Sequence, residues 1–177
     1  MTRPKDKAIR PTPTPPHPIP HTGPIHLPKN NKISYSAPMS EPKTAPSSLM
    51  RIQLQAIIRS LGQDQTAQMD NLNLILEEFY ERMNADSMLM HFFIGKDLKH
   101  IAHQQGKFLM NAAGMIPQFE GKGPHSAHTA IPPIWEGHFD RRMVILRETL
   151  KAHHMAAPMI ELWVAFESSF RNIVVSE

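Results

Sequence analysis

Leu98-Lys99-His100-Ile101-Ala102-His103-Gln104-Gln105-Gly106-Lys107-Phe108-Leu109-Met110-Asn111-Ala112 is the stretch on which the fold turns. Leu98, Ile101, Gln105, Phe108, Leu109 and Ala112 recur so as to share one face of a helix predicted over 96–113. Gln105 stands inside that otherwise apolar face. A buried amide left unpaired costs about 1–3 kcal/mol, so a glutamine at this position needs a partner or a ligand opposite it.

The preceding segment supplies a candidate. Over residues 66–84, Met69, Leu72, Leu76, Tyr80 and Met83 fall on one helical stripe, which Ile75 and Phe79 widen. Tyr80 is thus the natural partner for Gln105. Between the two helices, Ala85-Asp86-Ser87 breaks the pattern. Leu89 to Ile94 then form a brief apolar helix that ends on Gly95, a residue free to take positive φ. Further upstream, a helix starts at a cap on Ser47 or Ser48 and carries Leu49, Ile52, Leu54, Ile57, Ile58 and Leu61 on its apolar positions.

Downstream, a loop holds Gly114, Gly121 and Gly123. His125-Ser126-Ala127-His128 forms a short element, and Pro132-Pro133 stops any helix before them. Two more helices are expected, from about Trp135 to His153 and from about Met155 to Val175. On the second, Ile160, Trp163, Phe166, Phe170 and Val174 share a face. Strand signals are nearly absent, so the fold class is all-α.

Composition sets the outer limits. Twelve of the seventeen prolines fall in residues 1–50, where runs such as Pro11-Thr12-Pro13-Thr14-Pro15-Pro16 oppose helix and sheet alike. Residues 1–46 are therefore expected to be a disordered, basic, Pro-rich extension, and 47–177 the folded domain. The net charge of +3 belongs to the tail. Residues 1–50 hold seven Lys or Arg against two acids, and residues 51–177 twelve against fourteen. Neither nucleic acid nor membrane is expected as a partner. The absence of cysteine excludes disulfides, thiolate metal sites and cysteine nucleophiles. With no apolar signal segment and no membrane-length apolar run, a cytoplasmic location is expected.

Taken singly, these residues have ordinary structural readings. A tyrosine beside a phenylalanine on an amphipathic helix is commonly core with its hydroxyl at the surface. His128 is one of eleven histidines and has a reading as a solvated loop residue. The pairs His100/His103 and His125/His128 also permit zinc. A structural zinc site takes four ligands, however, and neither pair has a second pair or a carboxylate at the expected distance. Glu77-Glu78 reads as the solvated face of its helix. No Gly-rich phosphate loop, nucleophile elbow or paired-carboxylate signature points to hydrolase or transferase chemistry.

Phe79-Tyr80-Glu81-Arg82-Met83-Asn84-Ala85-Asp86, Phe92-Phe93-Ile94-Gly95, Gln105 through Phe108-Leu109, and Ala127-His128 follow one another as in truncated hemoglobins. From about residue 50 to 177 the chain resembles that family, and the strength of the likeness lies in the ordered spacing of several motifs. The resemblance implies a small helical sandwich around a haem. By position, His128 matches the proximal iron ligand and Phe93 the phenylalanine against the porphyrin. Tyr80 and Gln105 match the polar residues of the opposite face, and Ile101 and Leu109 the apolar positions around them. The implied function is binding of O2, NO or CO at ferrous iron. Dioxygenation of nitric oxide with an external reductase, or O2 binding and transfer, are the activities that go with it. The alternatives are a haem-based sensor acting through a partner and a haem-free, globin-shaped interaction module.

Two departures stand out. Many relatives carry two glycines where this chain has Gly114-Met115. Some subgroups carry a tryptophan where it has Arg141-Arg142. Gln105 without that tryptophan resembles the first subgroup, linked to nitric oxide consumption, whereas the spacing from His128 to Arg141 resembles the third. An arginine facing the pocket is costly unless it snorkels out or pairs with a haem propionate.

Overall fold

The structure, a computed structural model, describes residues 47–176. The extension expected over residues 1–46 lies outside the described residues. Seven α-helices and one 3₁₀ turn make up the described chain, with no strand among these residues.

The first three helices begin where a side chain meets the first free amides. Helix α1 (Ser48–Arg59) starts at Ser47, whose Oγ accepts from the Met50 N–H at 3.2 Å. Helix α2 (Gln65–Ala85) starts at Asp64, which accepts from the Ala67 N–H at 2.8 Å. Helix α3 (Leu98–Ala112) starts at Asp97, which accepts from the His100 N–H at 2.9 Å. Helix α4 (Pro124–His128) opens on a proline, which has no amide to leave unpaired. Helix α5 (Glu136–Ala152) is followed by α6 (Ala157–Ser168) and the short α7 (Arg171–Val174). The 3₁₀ turn spans Met90–Phe92, and Gly95 just beyond it takes φ +68° as its position required.

Helix α2 packs along both α3 and α5, α5 packs on α6, and α1 closes one side against α6 and α3. The result is a helical sandwich. Leu72, Leu76 and Phe79 of α2, Leu109 and Met110 of α3, Leu146 and Leu150 of α5 and Trp163 of α6 are wholly buried at its centre. The C-terminal end of α3 is tied to α1: the Ala113 carbonyl accepts from Gln55 Nε2 at 2.7 Å and from Arg51 Nε at 3.4 Å. Gly114 follows with φ +69° and with the Arg51 guanidinium lying where a Cβ would project. This position needs glycine for its conformation, whereas the flexible Arg51 head would swing aside from a Cβ.

Two expectations about elements change. Leu49 and Ile52 are 64% and 62% exposed, so α1 buries only Leu54, Ile57 and Ile58 on a narrower stripe. The helix expected from Met155 to Val175 breaks between α6 and α7. There the Ser169 hydroxyl donates to the Phe166 carbonyl at 2.6 Å, offering the backbone a local partner in place of the next helical bond. No helix among the described residues is long and apolar enough to cross a membrane.

Candidate functional site

Tyr80 on α2 and Gln105 on α3 meet, as the helical faces required. The Tyr80 hydroxyl donates to Gln105 Oε1 at 2.6 Å. Burial pushes the phenol pKa up to about 12, with the nearby Arg142 lowering it and Glu167 raising it. Tyr80 is therefore a neutral phenol at any ordinary pH. Phe93, just after the 3₁₀ turn, lies edge-on to the Tyr80 ring with centroids 5.8 Å apart. Leu109, one turn beyond Gln105, is wholly buried, and Ile101, one turn before it, is half-buried.

Gln105 does not end the chain of contacts. Its Nε2 donates to Glu167 Oε1 at 2.8 Å, and the other carboxylate oxygen accepts from Arg142 at 2.8 Å. Glu167 is 5% exposed, and the Arg142 guanidinium sits 5.2 Å from the Phe79 ring centroid. Desolvation works against the Arg142 charge, but Glu167 and Tyr80 outweigh it and hold the pKa above the usual value. Arg142 thus neither snorkels out nor waits for a propionate: it pairs with a carboxylate of the chain itself. Its neighbour Arg141 points elsewhere, donating to Asp86 at 2.7 Å.

His128 closes α4. Its Nδ1 lies 2.5 Å from the Pro124 carbonyl, one turn back. A carbonyl only accepts, so Nδ1 carries the proton and the ring's lone pair is on Nε2. Desolvation lowers the imidazole pKa, the Pro124 carbonyl raises it, and the charges of Arg142 and Glu167 act in opposite directions. The same two charges also act on Tyr80. A neutral imidazole with a fixed tautomer is the donor that haem iron takes, so these residues fit that group.

The profile of the bacterial-like globin family matches residues 61–174. The chain belongs to that family, as a truncated hemoglobin. The globin is 33% identical over 73 residues to the group 1 truncated hemoglobin of Tetrahymena thermophila, and 34% identical over 73 residues to that of Tetrahymena pyriformis. Each match takes in 41% of this globin and spans 60% of the length of the relative. Among solved structures it is similar to the Tetrahymena pyriformis truncated hemoglobin in its Fe(III) form, with a TM-score of 0.57 at 24% identity. A glutamine-to-glutamate variant of that protein gives a TM-score of 0.59 at 25% identity; both cover 68% of this globin and 98% of the other chain.

Sequence reasoning missed Glu167. The signal was there: Glu167 lies four residues after Trp163 and seven after Ile160, on the apolar stripe of α6, and a carboxylate at such a position must have a buried cation or donor facing it. Glu77 and Glu78 lie part-exposed on their helix face, as read, and are ion-paired there as well. Glu77 lies 2.6 Å from His103 Nε2, and Glu78 pairs with Arg82 at 2.6 Å and with His153 at 2.8 Å. Arg82 in first place, against a desolvation cost, keeps the Glu78 pKa below the usual range. No group of three or more His, Cys, Asp or Glu side chains suited to a metal ion occurs among the described residues.

Proposed function

We propose that this globin binds haem through His128 and takes diatomic gases, O2, NO and CO, on the side of Tyr80 and Gln105. The observation that carries the reading is the His128 Nδ1 contact with the Pro124 carbonyl, which leaves a neutral Nε2 as a ligand. Haem iron, when bound, supplies an open coordination position for the gas.

The chain's own residues do the rest. Pro124 fixes the imidazole tautomer and makes the ring a better ligand. Phe93 and Ile101 supply apolar surface for the porphyrin, with the buried Leu109 behind them, and help to keep water out, which strengthens every polar contact inside. Tyr80 and Gln105 are the polar groups on the ligand's side, and how firmly they hold a ligand with partial negative charge depends on which way their hydrogen bonds run. Dioxygenation of nitric oxide fits such a pocket: one NO, one O2 and one electron combine to nitrate, and an external reductase returns the electron. The group 1 label of the Tetrahymena relatives accords with Gln105 in a chain that lacks the distal tryptophan.

The test is a titration of the purified chain with haemin, followed by reduction, oxygenation and mixing with one equivalent of NO. The reading predicts stoichiometric haem uptake and quantitative nitrate. Haem uptake and reversible O2 binding without nitrate would leave gas binding or sensing through a partner. A protein that takes no haem would contradict the reading and leave a globin-shaped interaction module.

A further inference from the structure

We propose that Arg142 and Glu167 form a positioning pair that sets the direction of the hydrogen-bond chain through Gln105, and so holds the Tyr80 hydroxyl proton on Gln105, away from any ligand. The chain of contacts is Arg142 to Glu167, Gln105 to Glu167, and Tyr80 to Gln105, at 2.8, 2.8 and 2.6 Å.

Its direction follows from which groups can only give or only take. A guanidinium only donates and a carboxylate only accepts. Glu167 meets Arg142 with one oxygen and Gln105 with the other, so the Gln105 amide must turn its NH2 toward Glu167. Oε1 is then the atom left for Tyr80, and an amide oxygen only accepts. The one proton of the Tyr80 hydroxyl is thereby committed to Gln105, and toward its other side the phenol offers lone pairs. Burial of Glu167 and the Phe79 ring beside Arg142 leave little room for either group to turn aside.

A single substitution reverses the chain. In Glu167→Gln, Arg142 still requires an acceptor, so the new amide presents its oxygen to Arg142 and its NH2 to Gln105. Gln105 must then turn its oxygen to position 167 and its NH2 to Tyr80, whose oxygen accepts and whose proton is released. The shape of the side chain is unchanged. Arg142→Leu combined with Glu167→Gln removes the cation that dictates the direction, and the new amide is then free to face either way.

The experiment uses the haem-free protein, so it does not depend on the function proposed above. Tyr80 is one of two tyrosines, and Tyr35→Phe leaves it alone. With isotopically labelled tyrosine, the phenol C–O stretching band distinguishes a donating from an accepting hydroxyl. We expect the band of a donating phenol in the Tyr35→Phe protein, that of an accepting phenol after Glu167→Gln, and a mixture in the double variant with Arg142→Leu. The same band in all three folded proteins would overturn the proposal. If Glu167→Gln does not fold, the double variant, which lacks the buried cation, decides the matter: a band identical to that of the parent overturns it.

The consequence for gas binding rests on the haem reading. In haem-loaded Glu167→Gln the freed Tyr80 proton reaches the ligand, and O2 dissociation slows by about tenfold, the worth of one buried hydrogen bond. Failure to take haem would sink the proposed function and leave the vibrational result standing. Haem uptake with an unchanged phenol band would do the opposite.

Discussion

His128 and Glu167 are the two residues whose chemistry is most exposed to test. The native imidazole pKa is lowered from the ordinary 6.5, first by desolvation. Below pH 6.5 the unfolded chain binds a proton at this residue that the folded chain does not, so the stability it contributes is complete above 6.5 and is lost as the pH falls toward the native value. The Pro124 carbonyl, Arg142 and Glu167 are the groups around it. Urea unfolding of haem-free protein between pH 7.5 and 5 should therefore lose stability more steeply for the native chain than for His128→Phe; parallel curves would contradict this. For the buried pair, removing one partner strands a charge. Glu167→Ala should cost roughly 3–5 kcal/mol in the same assay, while Arg142→Leu with Glu167→Leu should cost far less. The Tyr80–Gln105 contact was legible in the sequence, because periodicity put both residues on inner stripes, whereas motif spacing alone marks His128. Glu167 was not read, since a lone acid on an apolar stripe passes for a boundary residue until its cation is found on another helix.

At the scale of elements, capping and close approach make separate predictions. Asp97 caps α3, the helix that carries Gln105, so Asp97→Ala should cost about 1 kcal/mol, measured by chemical unfolding. At Gly106, α3 comes so close to α2 that an added Cβ would lie 2.7 Å from Asn73 Oδ1 and 3.6 Å from Leu76 Cδ1. Gly106→Val should therefore separate the two helices and destabilise the fold by about 1–3 kcal/mol. It should also lengthen the Tyr80–Gln105 contact, which spans the same pair of helices. Periodicity placed α2 and α3 to within a residue or two because their apolar stripes are long. It overstated α1, where Leu49 and Ile52 continue the spacing but meet no neighbouring helix. It ran through the break after Ser168 because a serine that bonds to its own backbone leaves no mark in the hydrophobic pattern.

For the molecule as a whole, the helical sandwich was legible because several motifs fall in order along one chain, and the pairing of α2 with α3 and α5 with α6 follows from their apolar faces. What the sequence did not show is that four polar groups from four helices would join into one chain; that depends on how the helices cross. The proposed domain boundary predicts that a protein trimmed to residues 47–177 folds and takes haemin as the full chain does, with unchanged gas dissociation rates by flash photolysis. The most direct measurement is the absorption spectrum of the full chain with haemin, ferric and then ferrous with carbon monoxide, for the native protein and His128→Ala. The account predicts a Soret band that shifts with carbon monoxide in the native protein and a changed ferrous spectrum in His128→Ala, restored toward the native one by added imidazole. Identical spectra for the two proteins would contradict His128 as the ligand, and no haem uptake by the native chain would contradict the haem site itself.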